Sequence, residues 1–553
     1  MKKLLLFIGI LSISLTYGQL RLVKNINTLG TSSSPRDLFV FNNKLYFIGI
    51  TGANSTAQTT YFVSDGTESG TDKMQVGSYN PRLYSNNPVN KIVHNGDLIF
   101  FALDYTPSNI QPWNKLLKID GSTSVVSELV NLSSIYKPND NSFGSPISFG
   151  NKIYFSPIQN GNPNPPNIET IQREPYMTDL TQAGTTYLKD IVPYTGVNNS
   201  ASSDPGNFTV LGSSFFFTAK STSNGIELWK SDGTESGTNL YLDINAGTAD
   251  SSPNQLMAFN NALIFTAAHP TLGRELFKSN GSGSLNVIKD INTTGDGNPL
   301  NLTDINGVLY FSADNGTSGR ELWKSNGFST GTVMIKDINP SGDANPSRFK
   351  QFGSDIYFVA DDGVNGLELW KTDGTSAGTV MVKDINPSGS SNPNYFTEHN
   401  GKLYFSADNG TNGIELWVSD GTDAGTVMIE INPSGSGLVS YLTIYNNELY
   451  FGANAGTPST GAELYAYSDS SLSANDYNLN QNVISLYPNP SKSYFEMETT
   501  VILKKVEVYS MQGQLIKSFL PQKQYDISEL ISGIYLVKVH GNIGNVTKRL
   551  VKD

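Results

Sequence analysis

Short runs in which apolar and polar residues alternate follow one another along most of the chain, and residues typical of tight turns separate them. In the repeated pattern, an apolar–aromatic triplet follows a two-residue turn, as in FNNALIF and HNGKLYF, where Asn-Asn or Asn-Gly suits a type I′ hairpin. A loop then leads to a third run, ELW, and an Asp-Gly turn leads to a fourth, such as VMIKDINP. The pattern predicts four short antiparallel strands in each unit and an all-β protein.

The third run recurs with a nearly constant period. Its glutamate returns at intervals of 46 to 48 residues, at Glu227, Glu275, Glu321, Glu368, Glu415 and Glu463. Three degenerate copies align upstream on the turn, which gives nine units; they are Tyr61–Thr71, Leu116–Thr123 and Glu174–Thr185. Four strands in about 47 residues is the size of one β-propeller blade.

The phase of the repeat predicts that the propeller closes. Leu22–Asn27, LVKNIN, is similar to the fourth strand of a unit, whereas the last unit stops after its third strand at Glu463–Ser468, ELYAYS. Pairing of these two segments would remove two free sheet edges. We therefore expect one large β-propeller over residues 19–468 with nine blades, or with eight if one of the first three units is an insertion.

The beginning of the chain has the layout of a secretory signal peptide over residues 1–18. Lys2 and Lys3 precede an apolar run, Leu4–Leu15, and small or neutral residues follow it. The run is too short to span a bilayer, which takes about 20 residues. No later stretch approaches that length without polar interruption, so we expect no transmembrane segment in the mature chain. The chain has no cysteine, which excludes disulfides, a catalytic thiolate and a lipid-modified cysteine.

The end of the chain is a separate module. Residues 469–483 are polar and predict a linker, and the alternating strands of residues 484–553 predict a small β-sandwich. The module resembles the type A C-terminal sorting domain of the type IX secretion system. The elements that carry this resemblance are YPNP (Tyr487–Pro490), VYSMQGQLI (Val508–Ile516), ISELISGIYLVKV (Ile527–Val539) and the basic residues Lys548, Arg549 and Lys552. The resemblance implies that the type IX machinery is a partner and that the protein travels through the periplasm to the medium or the outer cell surface.

The repeated unit also carries a resemblance. Its ELWxxDGT signature resembles a family of tandem repeats in secreted bacterial proteins, over roughly Leu22–Ser468, and this resemblance says little about activity. The tryptophans of the signature occupy one equivalent slot per unit, which predicts packing between adjacent blades; a ring of exposed indoles for sugar stacking is the alternative. These tryptophans are Trp229, Trp323, Trp370 and Trp417.

Charge narrows the set of partners. The formal net charge is −12. The last 70 residues carry nine basic and six acidic side chains and the first 18 carry two basic ones, which leaves −17 on the propeller and linker. Nucleic acid is therefore excluded as a partner, because neutralising phosphates needs a basic face. Cations and neutral glycans remain plausible small partners.

Candidate catalytic residues are scarce. The four histidines, His94, His269, His399 and His540, do not form the pattern of a triad or a histidine metal cage, and no nucleophile elbow or phosphate-binding loop is present. Glu321, Glu368 and Glu415 recur unit by unit, which fits hydrogen bonding between blades better than a unique acid and base. We therefore assign no catalytic residue, and no binding residue can be assigned from the sequence.

Calcium is the one ion that the sequence leaves open. The loops 314–316, 361–363 and 408–410 each combine Asp or Asn with Gly, but they lack the spacing of a calcium hand and are also ordinary turn sequences. The aspartates of the Asp-Gly turns are interpreted as turn formers in the same way; they are Asp232, Asp373 and Asp420. We expect no cofactor and assign no metal ligand.

Two functions remain beside a third, a structural component of a surface layer. The first is a secreted or cell-surface binding or adhesion module that presents loops of the propeller to a glycan or a protein. The alternative is an extracellular carbohydrate-active hydrolase or lyase that uses carboxylates near the channel. The Asn/Pro-rich loops of the first three units, such as Gln159–Thr170, are where a unique site would most easily be built.

Overall fold

The computed structural model divides the chain into two compact units. The larger unit is Gly18–Asp469, and the smaller contains Ser470–Asp553. The residues that the structure describes are 19–27, 31–52, 58–77, 80–83, 91–104, 113–132, 143–157, 173–193, 202–456, 461–469, 484–499, 503–510, 514–541 and 544–553. The predicted signal peptide, most of the predicted linker and the loop 159–170 lie outside them. Within the described residues the chain is built from strands, and one 3-10 turn is Ser329–Gly331, so the all-β prediction is confirmed.

The larger unit begins with strands from the three degenerate repeats and from the first regular repeat. They are β1 (Gln19–Lys24), β2 (Arg36–Phe41), β3 (Lys44–Thr51), β4 (Gln58–Ser64), β5 (Asp72–Lys73), β6 (Arg82–Leu83), β7 (Lys91–His94), β8 (Asp97–Asp104), β9 (Trp113–Ile119), β10 (Val126–Asn131), β11 (Phe143–Phe149), β12 (Lys152–Pro157), β13 (Tyr176–Thr178), β14 (Thr186–Tyr187), β15 (Gly206–Leu211), β16 (Ser214–Ser221), β17 (Gly225–Ser231) and β18 (Asn239–Leu242).

The remaining strands of the larger unit come from the regular repeats. They are β19 (Asn254–Phe259), β20 (Ala262–His269), β21 (Gly273–Ser279), β22 (Asn286–Lys289), β23 (Leu300–Ile305), β24 (Val308–Asp314), β25 (Arg320–Ser325), β26 (Val333–Lys336), β27 (Ser347–Phe352), β28 (Asp355–Asp361), β29 (Leu367–Thr372), β30 (Val380–Lys383), β31 (Asn394–His399), β32 (Lys402–Asp408), β33 (Ile414–Ser419), β34 (Val427–Ile429), β35 (Ser440–Tyr445), β36 (Glu448–Ala453) and β37 (Glu463–Ser468).

These strands form antiparallel sheets in chain order. Strands β11 to β34 make six consecutive four-stranded sheets, and β2 to β10 make one sheet of nine strands. The last sheet has the order β1-β37-β36-β35, so the N-terminal strand completes it. β1 runs antiparallel to β37 with Gln19 opposite Ser468, which confirms the predicted pairing of the two ends of the repeat region.

The sheets follow one another around a closed ring. The first strand of each sheet from β11 onward lies against the first strand of the next, and β35 lies against β2. Because neighbouring sheets contact one another mainly through these strands, the first strands lie innermost and the sheets splay outward. The arrangement is propeller-like, and it follows from hairpins that are too short to let a strand leave its own sheet.

The core lies between adjacent sheets. Trp323 packs against Ile264 and Leu276 of the preceding sheet and against Phe311 of its own. The four signature tryptophans are only 5–7% exposed, so the prediction that they pack between neighbours is confirmed and the exposed-ring alternative is wrong. Phe277 fills the same slot in the unit where the tryptophan is replaced.

The smaller unit has two sheets. Its strands are β38 (Ile484–Tyr487), β39 (Tyr494–Thr499), β40 (Leu503–Ser510), β41 (Leu515–Phe519), β42 (Tyr525–Asp526), β43 (Gly533–Gly541) and β44 (Gly544–Lys552). The orders are β38-β39-β42 and β41-β40-β43-β44. Residues of both sheets, including Phe495, Tyr525, Val506 and Val537, share one buried cluster.

Candidate functional site

Seven consecutive first strands begin with the same irregularity, on the inner edge of the ring. Each has a β-bulge, and one residue of the bulge has a left-handed φ between 53° and 60°. A bulge turns a side chain away from the regular alternation of the strand. These residues, which we call the bulge series, are Asn207, Gln255, Asn301, Arg348, Tyr395, Tyr441 and Asp37 in their order around the ring.

Four polar members of the bulge series hold neighbouring sheets together. Each donates a side-chain hydrogen bond to the carbonyl of the proline that precedes the next bulge. The pairs are Asn207–Pro253 (3.4 Å), Gln255–Pro299 (2.9 Å), Asn301–Pro346 (3.1 Å) and Arg348–Pro393 (2.8 Å). At these positions the series is therefore structural.

The next two members are aromatic. The ring centroids of Tyr395 and Tyr441 are 5.0 Å apart at an interplanar angle of 41°, and Tyr441 is 36% exposed. Burial raises the pKa of Tyr395, Tyr441 raises it further, and the charge of Arg348 opposes the shift. Burial lowers the pKa of Arg36, against the attraction of Tyr441 and Asp37. In the order of the strands around the ring, β31 and β35 with the two tyrosines lie between β27, which carries Arg348, and β2, which carries Arg36.

Leu438, three residues before Tyr441, has an unusual backbone conformation. Its φ is 49°, and its side chain is 49% exposed. The equivalent residues of the other six bulged strands have φ values of 43–49° and are small and polar; they are Ser34, Asp204, Ser252, Asn298, Asn345 and Asn392. Asn and Asp tolerate this conformation, whereas a larger apolar side chain is strained in it. We call Arg36, Arg348, Tyr395, Leu438 and Tyr441 together the tyrosine patch.

The loops that lead into the first strands are capped in two ways. In three of them an aspartate oxygen accepts a hydrogen bond from the backbone N–H of the residue that precedes the ELW glutamate, at 2.7–2.8 Å; these are Asp250, Asp296 and Asp343. In the loops before Tyr395, Tyr441 and Arg36 a serine hydroxyl accepts the same bond at 2.9–3.1 Å; these are Ser390, Ser436 and Ser32. Two of the three aspartates face an arginine of opposite charge, Arg274 and Arg320. The caps beside the tyrosines carry no charge.

The repeated glutamates of the ELW runs serve the connections between sheets. Glu275 is fully buried and accepts backbone hydrogen bonds from Ile291 (3.0 Å), Asn292 (3.1 Å) and Gly297 (2.8 Å), which lie in the loop to the next sheet. Burial raises the pKa of Glu275 to about 7, and Asp290 contributes in the same direction. Glu321 has the same surroundings and also a pKa of about 7. These carboxylates hold the loops between sheets in place. This agrees with the interpretation, made from the sequence, that the repeated glutamates form hydrogen bonds between blades.

The aspartates of the Asp-Gly turns are engaged within their own turns. Asp232 accepts hydrogen bonds from the backbone N–H (2.9 Å) and the hydroxyl (2.7 Å) of Thr234, and these bonds lower its pKa. Asp373 and Asp420 do the same with Thr375 and Thr422. In the candidate calcium loops, Asp314, Asp361 and Asp408 accept the N–H two residues ahead at 2.7 Å. Among the described residues, no three His, Asp or Glu side chains are placed to share a metal ion.

The histidines have separate local partners. His94 is bonded to Ser148 (2.8 Å), and burial lowers the pKa of His94 and of His399. His269 contacts Thr271 (3.2 Å), and His540, in the smaller unit, contacts Glu507 (2.8 Å). The partners of His94, His269 and His540 are therefore all different.

A depression of about 530 Å³ lies where the ring closes. It is lined by Arg21 of β1, Asp65 and Glu448, among others. Arg21 donates to Glu448 (2.6 Å) and to the carbonyl of Gly66 (2.9 Å). Lysines form the same contact to a turn carbonyl elsewhere in the ring, for example Lys324 to Gly374 at 2.7 Å. The depression is therefore part of the closure.

Sequence reasoning missed the bulge series and the tyrosine patch. The segment before each first strand has a recurring pattern in which a small residue and proline precede the bulge, for instance SNP before Tyr395. At Leu438 and Val439 that pattern is broken. The break was the available signal, but only the register of the bulges places Tyr395 beside Tyr441.

Known proteins match the two units differently. Residues 485–553 match the family described as the secretion system C-terminal sorting domain. The sorting domain is thus the smaller unit of the structure, and it supports export to the cell surface or the medium. No curated protein matches the chain. Within the described part of the chain, no helix has the length and hydrophobicity needed to cross a membrane.

Solved structures are similar to the chain only at a distance. A puromycin hydrolase has 12% identity and a TM-score of 0.38, with 70% of this chain and 60% of that chain covered. A puromycin-hydrolyzing peptidase of Mycobacterium tuberculosis has 11% identity and a TM-score of 0.38, with 77% and 63% covered. The β-propeller domain of the Trilobed protease from Pyrococcus furiosus has 8% identity and a TM-score of 0.33, with 75% and 99% covered. The chain spans less than two thirds of the two hydrolases, and no activity is transferred from them.

Proposed function

We propose that the protein is a secreted or cell-surface binding module, in which the ring of sheets presents a glycan- or protein-binding surface and the sorting domain directs export by the type IX secretion machinery. The ring is the functional part, and the sorting domain is an export signal that is removed after export. This proposal needs no cofactor and no catalytic residue.

The bulge series carries the proposal. Its backbone conformation is the same in seven consecutive first strands, but its side chains change from amides to arginine, tyrosine and aspartate. A repeated scaffold with one variable position is suited to recognition, since the scaffold fixes the position and the side chains set specificity. The repeated carboxylates do not offer a comparable site, because Glu275 and Glu321 are used in loop hydrogen bonds.

We further infer that the ring is a single propeller of nine blades. The nine-stranded sheet contains two sets of four strands, β2 to β5 and β7 to β10, joined through the short strand β6. With the seven four-stranded sheets, this gives the number of repeat units in the sequence. For the sorting domain we infer a β-sandwich, because residues of both sheets share one core.

Glycan-array binding and a screen for polysaccharide turnover, run on residues 19–553, the chain without its predicted signal peptide, test the proposal. We expect saturable binding without release of shorter products. Product formation that persists after purification to constant specific activity would overturn the binding-module function in favour of a hydrolase or lyase. Absence of saturable binding to glycans and to surface proteins of the cell that produces the protein would also overturn the binding-module function.

A further inference from the structure

The tyrosine patch has the composition of a site for a sugar ring with a negative charge. Tyr395 and Tyr441 offer neighbouring aromatic faces, and one of these rings is more than a third exposed. Aromatic faces bind the apolar faces of sugar rings, and a hydroxyl group at the edge adds hydrogen bonding. Such a surface suits a ligand with a hydroxyl-bearing ring.

Arginines lie on both sides of the two rings. Arg348 is exposed and uses one guanidinium nitrogen for the carbonyl of Pro393, which fixes the side chain without neutralising its charge. Arg36 is half-buried on β2, the strand that follows the strand of Tyr441 in the ring. A guanidinium group binds a carboxylate through two parallel hydrogen bonds, which gives direction as well as affinity.

The surroundings favour an anion in this sector of an otherwise acidic ring. The loop caps before Tyr395 and Tyr441 are Ser390 and Ser436, where three other loops use aspartate for the same hydrogen bond. Asp37, the neighbouring carboxylate, is paired with Lys91 at 2.6 Å. The caps of the two loops before the tyrosines therefore add no negative charge, and Asp343, which caps the loop before Arg348, faces Arg320.

The unfavourable backbone conformation of Leu438 also indicates a binding site. A strained residue persists where the surroundings over-determine it, and such residues concentrate at binding sites. At this position six equivalent strands use a small polar residue, whereas here the residue is an exposed leucine three positions before Tyr441. The substitution is unfavourable for the fold and adds contact area to the patch.

From these four observations we propose that the tyrosine patch binds a carboxylated polysaccharide, with the sugar rings on Tyr395 and Tyr441 and the carboxylates at Arg348 and Arg36. This inference rests on the proposed binding function and specifies its ligand. An acidic peptide is the competing ligand.

Calorimetric titration of residues 19–553 with polygalacturonate tests the proposal. We expect binding that weakens about tenfold or more when the carboxylates are methyl-esterified, because the ester keeps the sugar rings but removes the charge. Equal affinity for the ester, or tighter binding of poly-glutamate, would overturn the assignment. No binding of polygalacturonate would also overturn it, whereas saturable binding of another glycan would leave the binding-module function standing.

Variants locate the site. Tyr441→Ala should weaken binding of polygalacturonate about tenfold, while Tyr187→Ala, which removes a comparably exposed tyrosine from β14, should change it less than about twofold. The double variant Ser390→Asp/Ser436→Asp replaces two serine caps by aspartate, which forms the same cap hydrogen bond at Asp343, so the variant should fold normally. It adds two negative charges beside the tyrosines and should therefore bind polygalacturonate several-fold more weakly. Unchanged affinity in both patch variants would exclude the tyrosine patch as the site.

Discussion

Glu463, on the last strand of the ring, accepts a hydrogen bond at 2.8 Å from the backbone N–H of Ile26, although 437 residues separate them. The same oxygen accepts the hydroxyl of Ser33 at 2.7 Å. Glu463 is fully buried, as are the equivalent glutamates of the other units. The contact that elsewhere holds a loop between neighbouring sheets here holds the N-terminal segment against the last sheet, and it closes the ring.

Glu463→Ala should therefore destabilise the closure. The substitution removes the acceptor of the Ile26 N–H and one of the two acceptors of the Ser33 hydroxyl, the other being the carbonyl of Ala462 (3.1 Å), so it should cost about 1–3 kcal/mol. We expect a lower urea midpoint and faster proteolytic release of an N-terminal fragment. Glu398→Ala, at an exposed position on β31, is the matched control. Equal protease resistance in the two variants would contradict this role of Glu463.

The buried glutamates predict that stability falls as pH rises. The folded-state pKa of Glu275 and of Glu321 is about 7, above the ordinary value of 4.5, so the folded protein holds these protons more tightly than the unfolded chain. Their contribution is fully present below about pH 4.5 and is lost as pH rises to about 7, by about 1.4 kcal/mol per pH unit and group at most. Urea unfolding at pH 5, 6, 7 and 8 measures the slope.

Glu275→Gln/Glu321→Gln is the matched variant for this slope. Glutamine preserves the size of the side chain but does not titrate, so the free energy of unfolding should depend less on pH between 5 and 7 even if the variant is less stable overall. A slope identical to that of the unsubstituted protein would show that these two carboxylates do not titrate in that range.

The tryptophan slot should tolerate one aromatic residue for another. Trp323→Phe loses the hydrogen bond to the carbonyl of Ala313 (3.1 Å) but leaves a ring like that of Phe277, so we expect a loss of about 1 kcal/mol. Trp323→Ala leaves a cavity between two sheets and should cost about 3–5 kcal/mol. Denaturant unfolding of the two variants checks the order. A reduction of glycan binding by Trp323→Phe without a stability change would instead restore a role for the indole in sugar stacking.

Leu438→Asn should stabilise the ring. Asparagine adopts the left-handed conformation at lower cost, so the free energy of unfolding should rise by about 1 kcal/mol. Asn392→Leu makes the reverse change at the equivalent position of the preceding loop and should lower the free energy of unfolding by a similar amount. Thermal unfolding of both variants provides the comparison. Destabilisation by Leu438→Asn would mean that the leucine packs favourably and that its backbone is not strained.

Deletion of residues 484–553 should trap the protein in the periplasm. The deleted segment contains the matched sorting domain and has its own hydrophobic core, so the ring should still fold without it. Fractionation of cells that express the full and the truncated chain measures the effect, and fusion of residues 470–553 to a periplasmic reporter is the converse test. Undiminished surface or medium levels of the truncated chain would contradict a sorting role.

The repeat and its closure were predictable because both depend on local pattern. Asn-Asn and Asn-Gly determine the hairpins, and the period of the ELW run determines that every unit is alike. The incomplete last unit then leaves only one partner for Leu22–Asn27, which β1 confirms by pairing with β37. The tryptophans were predictable for a similar reason, since one identical slot per unit is what packing between identical neighbours requires.

The candidate site was not predictable in the same way. Tyr395 and Tyr441 are separated by a whole unit, and each looks like an ordinary strand residue in its own segment. Only the stacking of one sheet on the next brings the two rings within 5.0 Å and sets Arg348 and Arg36 on either side of them. By itself, the sequence determined the strands, the units and the export signal, because these arise from contacts within a unit or a short segment. The tertiary structure decided which variable residues meet, because the ring brings equivalent positions of successive units together through a register that no single unit contains.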